Sequence, residues 1–327
     1  MLGLKSASAV LALFIFRWEK MKIIKEVGLS IIGMLVITVL ILAGMGFFKN
    51  NPSSEPNDAK NTSSSPTTKV QKRVDILALG DSLTQGVGDL KDQNGYQQRL
   101  AKNIRKKSEI KKVQVYNEGI SGERSDQILA RLKKSSKIQK EVSKSEILIV
   151  TAGGNDLFQK LQKDATDSTS QITVNVNKAS LEYQKNLQEI FKIARRINPK
   201  IKIAMVGVYN PFFVYFPNVT AITNAITTFN ATAQATTDYF TNAVFVDINA
   251  LSVGQYKTSS QQSKLAKEST EDDIAVVEKS QLEQKQFDTK EKNNYLSDAD
   301  HFHPNNKGYD MMTDKIYKGL NKAGFLK

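Results

Sequence analysis

The sequence predicts an α/β protein built on a parallel sheet, and three observations carry that expectation. Five short apolar runs, Val74–Leu79, Val113–Tyr116, Ile147–Val150, Ile201–Val208 and Val244–Asp247, are rich in branched residues, as strands buried on both faces are. The intervals between them carry helical spacing, clearest in Leu187, Ile190, Phe191, Ala194 and Ile197. Strands alternating with helices imply right-handed crossovers and helices on both faces of the sheet. Finally, the first three runs each end directly in a short polar motif, where such sheets place reactive groups.

Ahead of the sheet lie three stretches of different character. Residues 1–26 contain a ten-residue apolar run, Ala7–Phe16, too short to span a bilayer, and Met21 is a second candidate start. Residues 27–48 hold 22 residues without a charge, enough for one transmembrane helix. Lys22 and Lys25 precede it closely, so residues 1–26 are expected in the cytoplasm and the bulk of the chain outside. The small-x-small site near Ala43–Gly46 is poor, which favours a retained membrane anchor over a cleaved signal. Residues 49–72 are rich in Ser, Thr, Asn, Pro and Lys with no apolar periodicity, and read as a flexible linker.

Residues 73–327 form the outer domain. Gln255–Asn294 interrupts its pattern with a charged, Gln/Lys/Glu-rich insertion, either a helical lid over the site or a solvated excursion. Lys307–Phe325 reads as a closing helix, with Tyr309, Met312, Ile316, Tyr317 and Leu320 on one side.

Composition removes several functions. With no cysteine there are no disulfides, thiolate metal sites or cysteine nucleophile. The net charge of +13 raises the question of nucleic acid. Residues 1–72 hold nine Lys/Arg and four acids, a net of +5, leaving +8 for the other 255. That charge is spread over helix-like stretches with few aromatics and no nucleic-acid motif, so no nucleic-acid partner is expected. A basic solvated surface suits anionic surroundings such as a bacterial envelope.

The polar motifs converge on one chemistry. The first run ends in Gly80-Asp81-Ser82, the second in Asn117-Glu118-Gly119-Ile120-Ser121-Gly122, and the third in Thr151-Ala152-Gly153-Gly154-Asn155-Asp156. A fourth motif, Asp298-Ala299-Asp300-His301-Phe302-His303-Pro304, lies near the C-terminus and contains the only two histidines. Acyl transfer by serine needs a base, a group that orients the base, and donors for the oxyanion. Ser82 is the candidate nucleophile and imidazole the candidate base. Asp300 stands three residues before His303, as Asp298 does before His301, so spacing alone leaves two registers open. On a helical turn either carboxylate reaches its imidazole. Gly122 offers an unshielded N–H and Asn155 an amide, which with the Ser82 N–H would make an oxyanion hole of three donors. Asp81 and Asp156 are read as structural. The aromatic stretch Tyr209–Pro217 follows the fourth strand and is either a packed loop or a wall of an acyl pocket.

Taken together, the motifs resemble the GDSL, or SGNH, hydrolase family. Gly80-Asp81-Ser82-Leu83 resembles its first block, Gly122 in Ile-Ser-Gly its second, Gly153-x-Asn155-Asp156 its third and Asp300-x-x-His303-Pro304 its last. The last match favours His303 over His301. The resemblance implies a three-layer α/β/α fold with a five-stranded parallel sheet. It also implies ester hydrolysis through a serine acyl-enzyme, with catalytic Ser82, Asp300, His303, Gly122 and Asn155 and no metal or cofactor. The similarity is closest to the membrane-attached lipase/acylhydrolase branch of Gram-positive bacteria. The expected partner is a small-molecule or lipid ester. A cell-wall glycan, O-deacetylated, is the alternative substrate, and a tethered binding module without catalysis the alternative outside enzymes.

Overall fold

The computed structural model describes residues 72–91, 94–164, 167–276 and 290–327. The expected cytoplasmic segment, transmembrane helix and linker lie outside them. Among the described residues no helix is long and apolar enough to cross a membrane.

The five apolar runs are strands: β1 (Arg73–Gly80), β2 (Lys112–Gly119), β3 (Ile147–Thr151), β4 (Lys202–Val206) and β5 (Ala243–Val246). All neighbours pair in parallel, in the order β2-β1-β3-β4-β5. β1 and β3 sit centrally and are buried along their lengths, which explains their unbroken apolar runs. The edge strand β2 is only half-buried, and its polar residues Gln114, Asn117 and Glu118 reflect that position.

Ten helices complete the described chain: α1 (Ser82–Gln85), α2 (Gln97–Lys107), α3 (Ser125–Lys134), α4 (Ser136–Lys144), α5 (Gly154–Lys163), α6 (Thr169–Ile197), α7 (Thr220–Asp238), α8 (Ala250–Val253), α9 (Ser259–Val276) and α10 (Asn306–Lys322). Side chains alternate across a strand. Ile76, Ala78, Ile147, Ile149, Ala204 and Val206 therefore share one face, packed with Leu100 and Ile104 of α2 and with Tyr309, Met312, Ile316 and Leu320 of α10. Leu77, Leu79, Leu148, Val150, Ile203 and Met205 alternate with them and are wholly buried on the other face. There α3, α4 and α7 pack with the long helix α6. The result is the five-stranded, three-layer α/β/α architecture.

The strand order reverses between β1 and β3. At such a switch point the loops leaving two adjacent strands turn to opposite faces and open a crevice at the carboxyl rim. The Gly-Asp-Ser motif leaves β1 and the Gly-Gly-Asn-Asp motif leaves β3.

The closing helix forms as expected, with its five named apolar residues buried. The first part of the 255–294 insertion is helix α9, held by Asn218 Nδ2 donating to Ala266 O at 2.8 Å. Its ends are tied: Gln255 Nε2 donates to Lys292 O at 2.7 Å and Asn294 N–H to Gln255 Oε1 at 3.1 Å. Residues 277–289 lie outside the described residues.

Candidate active site

Ser82 stands at the first position of α1, immediately beyond the turn that ends β1. Asp81 is the N-cap, with its Oδ1 accepting the Leu83 N–H at 3.0 Å. The serine hydroxyl is thereby left for other work. The Ser82 N–H belongs to the first turn of a helix, where backbone donors have no partner within the helix.

Beneath the serine runs a buried hydrogen-bond chain. Thr151, the last residue of β3, donates from Oγ1 to Asp81 Oδ1 at 2.8 Å and accepts the Asp81 N–H at 3.2 Å. Its Oγ1 also lies 2.8 Å from Thr84 Oγ1, which in turn is 3.0 Å from the Tyr96 hydroxyl. Burial raises the Asp81 pKa, against the bonds from Thr151 and Leu83 that favour its charge. A Cβ at Gly80 would lie 2.2 Å from Thr151 Oγ1, so only glycine permits this approach of β1 to β3.

The C-terminal motif folds as a tight loop rather than a helical turn. Ser297 N–H donates to His303 O at 2.8 Å, and Leu296 and Pro304 form an antiparallel bridge. His301 lies at φ 53°, which reverses the chain between Asp300 and Phe302. Asp300 Oδ1 accepts the N–H groups of Phe302 at 3.0 Å and His303 at 2.9 Å. Its Oδ2 then meets His303 Nδ1 at 2.6 Å. The Asp-x-x-His spacing thus works through side-chain capping of a turn, not through the helical register the sequence suggested.

His303 Nε2 lies 2.8 Å from Ser82 Oγ, which completes a continuous line from Asp300 through His303 to Ser82. The serine and the histidine are both buried. Burial works to raise the Asp300 pKa, but its bond to His303, the imidazole's charge and the two backbone donors outweigh that, and the pKa is lowered. The loop reaches this place because Gly88 passes beneath it: a Cβ there would lie 2.5 Å from Pro304 O and 3.2 Å from His303 Cβ. The close approach that this glycine permits is that of the histidine loop.

The second register places its residues elsewhere. His301 Nδ1 contacts Glu291 Oε2 at 2.5 Å and the Tyr215 hydroxyl at 3.4 Å. Asp298 Oδ1 accepts the Glu291 N–H at 2.7 Å. Neither side chain joins the serine line.

Asn155, on the first turn of α5, lines the same cavity as Ser82. Its Nδ2 donates to Glu123 O at 2.9 Å, which engages one of its two amide hydrogens and leaves the second for a ligand. Gly122 sits on the exposed loop between β2 and α3 and does not line that cavity. Its carbonyl accepts from Gln159 Nε2 at 3.0 Å, so α5 holds the loop through two side chains. Arg131 holds it from below, donating to Glu123 Oε2 at 2.8 Å, Glu118 O at 3.0 Å and Gly80 O at 3.3 Å. Asp156 anchors the far end by accepting from both the N–H and the hydroxyl of Ser125. Burial raises the Asp156 pKa despite those bonds.

Sequence reasoning missed Thr151, Thr84, Gln159 and Arg131. Thr151 carried a faint signal as the polar end of an apolar run; Arg131 carried none, since an arginine in a helix reads as solvated. Among the described residues no group of three or more His, Cys, Asp or Glu is placed to hold a metal ion.

With the geometry in place, comparison with known proteins identifies its class. Residues 78–311 match the GDSL-like Lipase/Acylhydrolase family, and the chain belongs to it. It is accordingly a hydrolase of carboxylic esters. Among individual proteins, it is 29% identical over 261 residues to YpmR of Bacillus subtilis, covering 80% of this chain and 86% of that one. It is 29% identical over 143 residues to the spore germination lipase LipC of Bacillus licheniformis, covering 42% of this chain and 65% of that lipase. The lipase Lip_vut3 from a goat rumen metagenome shares the fold, with a TM-score of 0.57 and 24% identity over 78% of this chain and all of that one.

Proposed function

We propose that the chain is a serine esterase in which Ser82 is the nucleophile, and the observation that carries this is the unbroken line Asp300–His303–Ser82. The Ser82 hydroxyl donates to His303 Nε2 while Nδ1–H donates to the Asp300 carboxylate. As Oγ attacks the ester carbonyl, its proton passes to Nε2, and the adjacent carboxylate stabilises the imidazolium. The lowered pKa of Asp300 keeps it ionised for that role.

The tetrahedral oxyanion takes the Ser82 N–H and the second Asn155 amide hydrogen at the cavity. The Gly122 N–H, whose loop stands outside the cavity, is the third donor by family resemblance alone. Donors held in place before the reaction stabilise developing charge without reorganising. Arg131, Gln159 and Asp156 supply that stiffness to the Gly122 loop. The intermediate expels the alcohol, protonated by His303, and leaves an acyl-enzyme. Water deprotonated by His303 then releases the acid and restores Ser82.

The substrate is a carboxylic ester met at the outer face of the cell membrane, with residues 27–48 as the anchor. Their charge-free length and the flanking Lys22 and Lys25 support this placement. The resemblance to the lipase LipC supports a lipase-like acyl ester as substrate. Deacylation of a cell-wall carbohydrate is the second reading, favoured by the small size of the cavity beside Ser82.

The test is hydrolysis of p-nitrophenyl esters by the detergent-solubilised full-length chain beside its Ser82→Ala variant. Turnover at the wild-type rate in the variant would rule out Ser82 as nucleophile. Release of the protein from membranes by alkaline carbonate would rule out the anchor.

A further inference from the structure

The cavity beside Ser82 opens at the carboxyl ends of β3 and β4 and is small, about 30 Å³. That is room for about two water-sized groups. Ser82 and Asn155 line it together with the apolar Phe158, Val208 and Phe302. Apart from Ser82 and Asn155, which face the reacting ester, its polar neighbours are already bonded. The Tyr209 hydroxyl donates to Phe302 O at 2.6 Å, and Thr151 Oγ1 serves Asp81. Beyond the Ser82 and Asn155 donors, a sugar hydroxyl or a charged group entering here would lose its hydration and gain no partner. The alkyl end of an acyl group fits that chemistry.

The apolar lining is packed from behind. Phe158 of α5, Phe212 of the loop after β4 and Phe302 of the histidine loop form a closed trio. Their ring centroids lie 5.7 Å apart for Phe158 and Phe212, 5.3 Å for Phe158 and Phe302, and 6.0 Å for Phe212 and Phe302. Each ring comes from a different segment, and Phe212 backs the two that line the cavity. Val208 is fixed as well: Asn230 Oδ1 accepts its N–H at 2.8 Å and Asn230 Nδ2 donates to its carbonyl at 2.9 Å. Packed aromatics of this kind resist displacement by one extra methylene.

We propose that this cavity is the acyl subsite and that the trio Phe158, Phe212 and Phe302 limits it to short acyl groups, acetyl to about butyryl. The inference rests on Ser82 as nucleophile and, of the two substrate readings, takes the second: short-chain esters, such as O-acetyl groups, rather than long-chain lipids. The chemistry is unchanged. Ser82 Oγ forms a bond to the acyl carbon, the bond to the alcohol oxygen breaks, and water later releases the short carboxylic acid.

The experiment compares p-nitrophenyl acetate, butyrate and octanoate, which share a leaving group and differ only in the acyl chain. It uses the full-length protein in detergent with Ser82→Ala as control, and two variants that act in opposite directions. Phe158→Ala removes one member of the wall. Gly154→Ala adds a methyl whose nearest neighbour is Val208 Cγ1 at 3.9 Å, an ordinary contact that narrows the cavity without a clash.

The wild type is expected to prefer acetate and butyrate over octanoate by about 10-fold or more in kcat/KM, since each misfitting methylene matters on that scale. Phe158→Ala should raise the octanoate-to-acetate ratio about 10-fold, and Gly154→Ala should lower the butyrate-to-acetate ratio. If Phe158→Ala does not fold, Gly154→Ala still tests the cavity. A Ser82-dependent activity that prefers octanoate, or ratios unmoved in the folded variants, overturns the short-acyl subsite while leaving the nucleophile. Hydrolysis that persists in Ser82→Ala overturns both.

Discussion

Two histidines stand two residues apart in this chain, each bonded through Nδ1 to a carboxylate, yet their surroundings assign them different work. His303 Nδ1 meets Asp300 at 2.6 Å and presents Nε2 to Ser82 at 2.8 Å. His301 Nδ1 meets Glu291 at 2.5 Å and faces Tyr215. The first pair lies at the end of β1, within reach of a hydroxyl that no cap employs. The second ties the end of the 255–294 insertion to the histidine loop. A carboxylate–imidazole pair is therefore not a catalytic signature by itself; what the imidazole's second nitrogen meets decides.

The comparison breaks most sharply at the base. His303→Ala should lower kcat about 10⁴-fold, the scale seen when a catalytic imidazole or its orientation is lost. His301→Ala should leave kcat within about 10-fold, because its pair touches no reacting atom in the proposed mechanism. Equal losses in the two variants would erase the distinction.

Next in size is the orienting carboxylate. Asp300→Asn should lower kcat by about 10² to 10⁴-fold, because an amide cannot stabilise the imidazolium and can favour the wrong tautomer. The same variant tests the electrostatics of folding. The pKa of Asp300 is lowered in the folded state, so its charge contributes stability that is fully present above the unfolded carboxyl value, about 3.9. That stability is lost as pH falls through the folded value. Asp81 and Asp156 have the opposite sign, since burial raises both and their folded forms bind a proton more readily. Thermal melts between about pH 3 and 5 should therefore show a weaker acid loss of stability in Asp300→Asn than in the wild type. An unchanged pH slope would contradict the lowered pKa.

Much of this was legible in the sequence, for identifiable reasons. Strands β1 and β3 are central, so burial on both faces enforces apolar runs that cannot be mistaken for solvent-facing segments. Ser82, Asn155 and Gly122 could be listed together because parallel strands deliver their following loops to one rim. The choice between the two Asp-x-x-His registers was not legible from spacing. It depends on a tight loop with His301 at φ 53° and on Gly88 beneath it, and neither leaves a periodic signal. The same limit hid Arg131, whose partners include two backbone carbonyls from different strands. Long-range contacts of a polar side chain with backbone are invisible to local pattern.

The smallest effect concerns the second pair. His301 occupies left-handed backbone, which costs a non-glycine residue of order 1 kcal/mol. Its contact with Glu291 offsets that cost locally, and Glu291 in turn accepts the Asn293 N–H at 2.7 Å. Glu291→Gln keeps the shape and a hydrogen-bonding amide but removes the charge, so it should cost about 1 kcal/mol of stability, with kcat within about 3-fold of wild type. His301→Gly should recover part of any loss seen in His301→Ala, because glycine adopts the left-handed backbone without penalty. Thermal melts of the three variants measure this directly. If His301→Gly is no more stable than His301→Ala, the backbone carries no strain there and the contact with Glu291 alone fixes the turn.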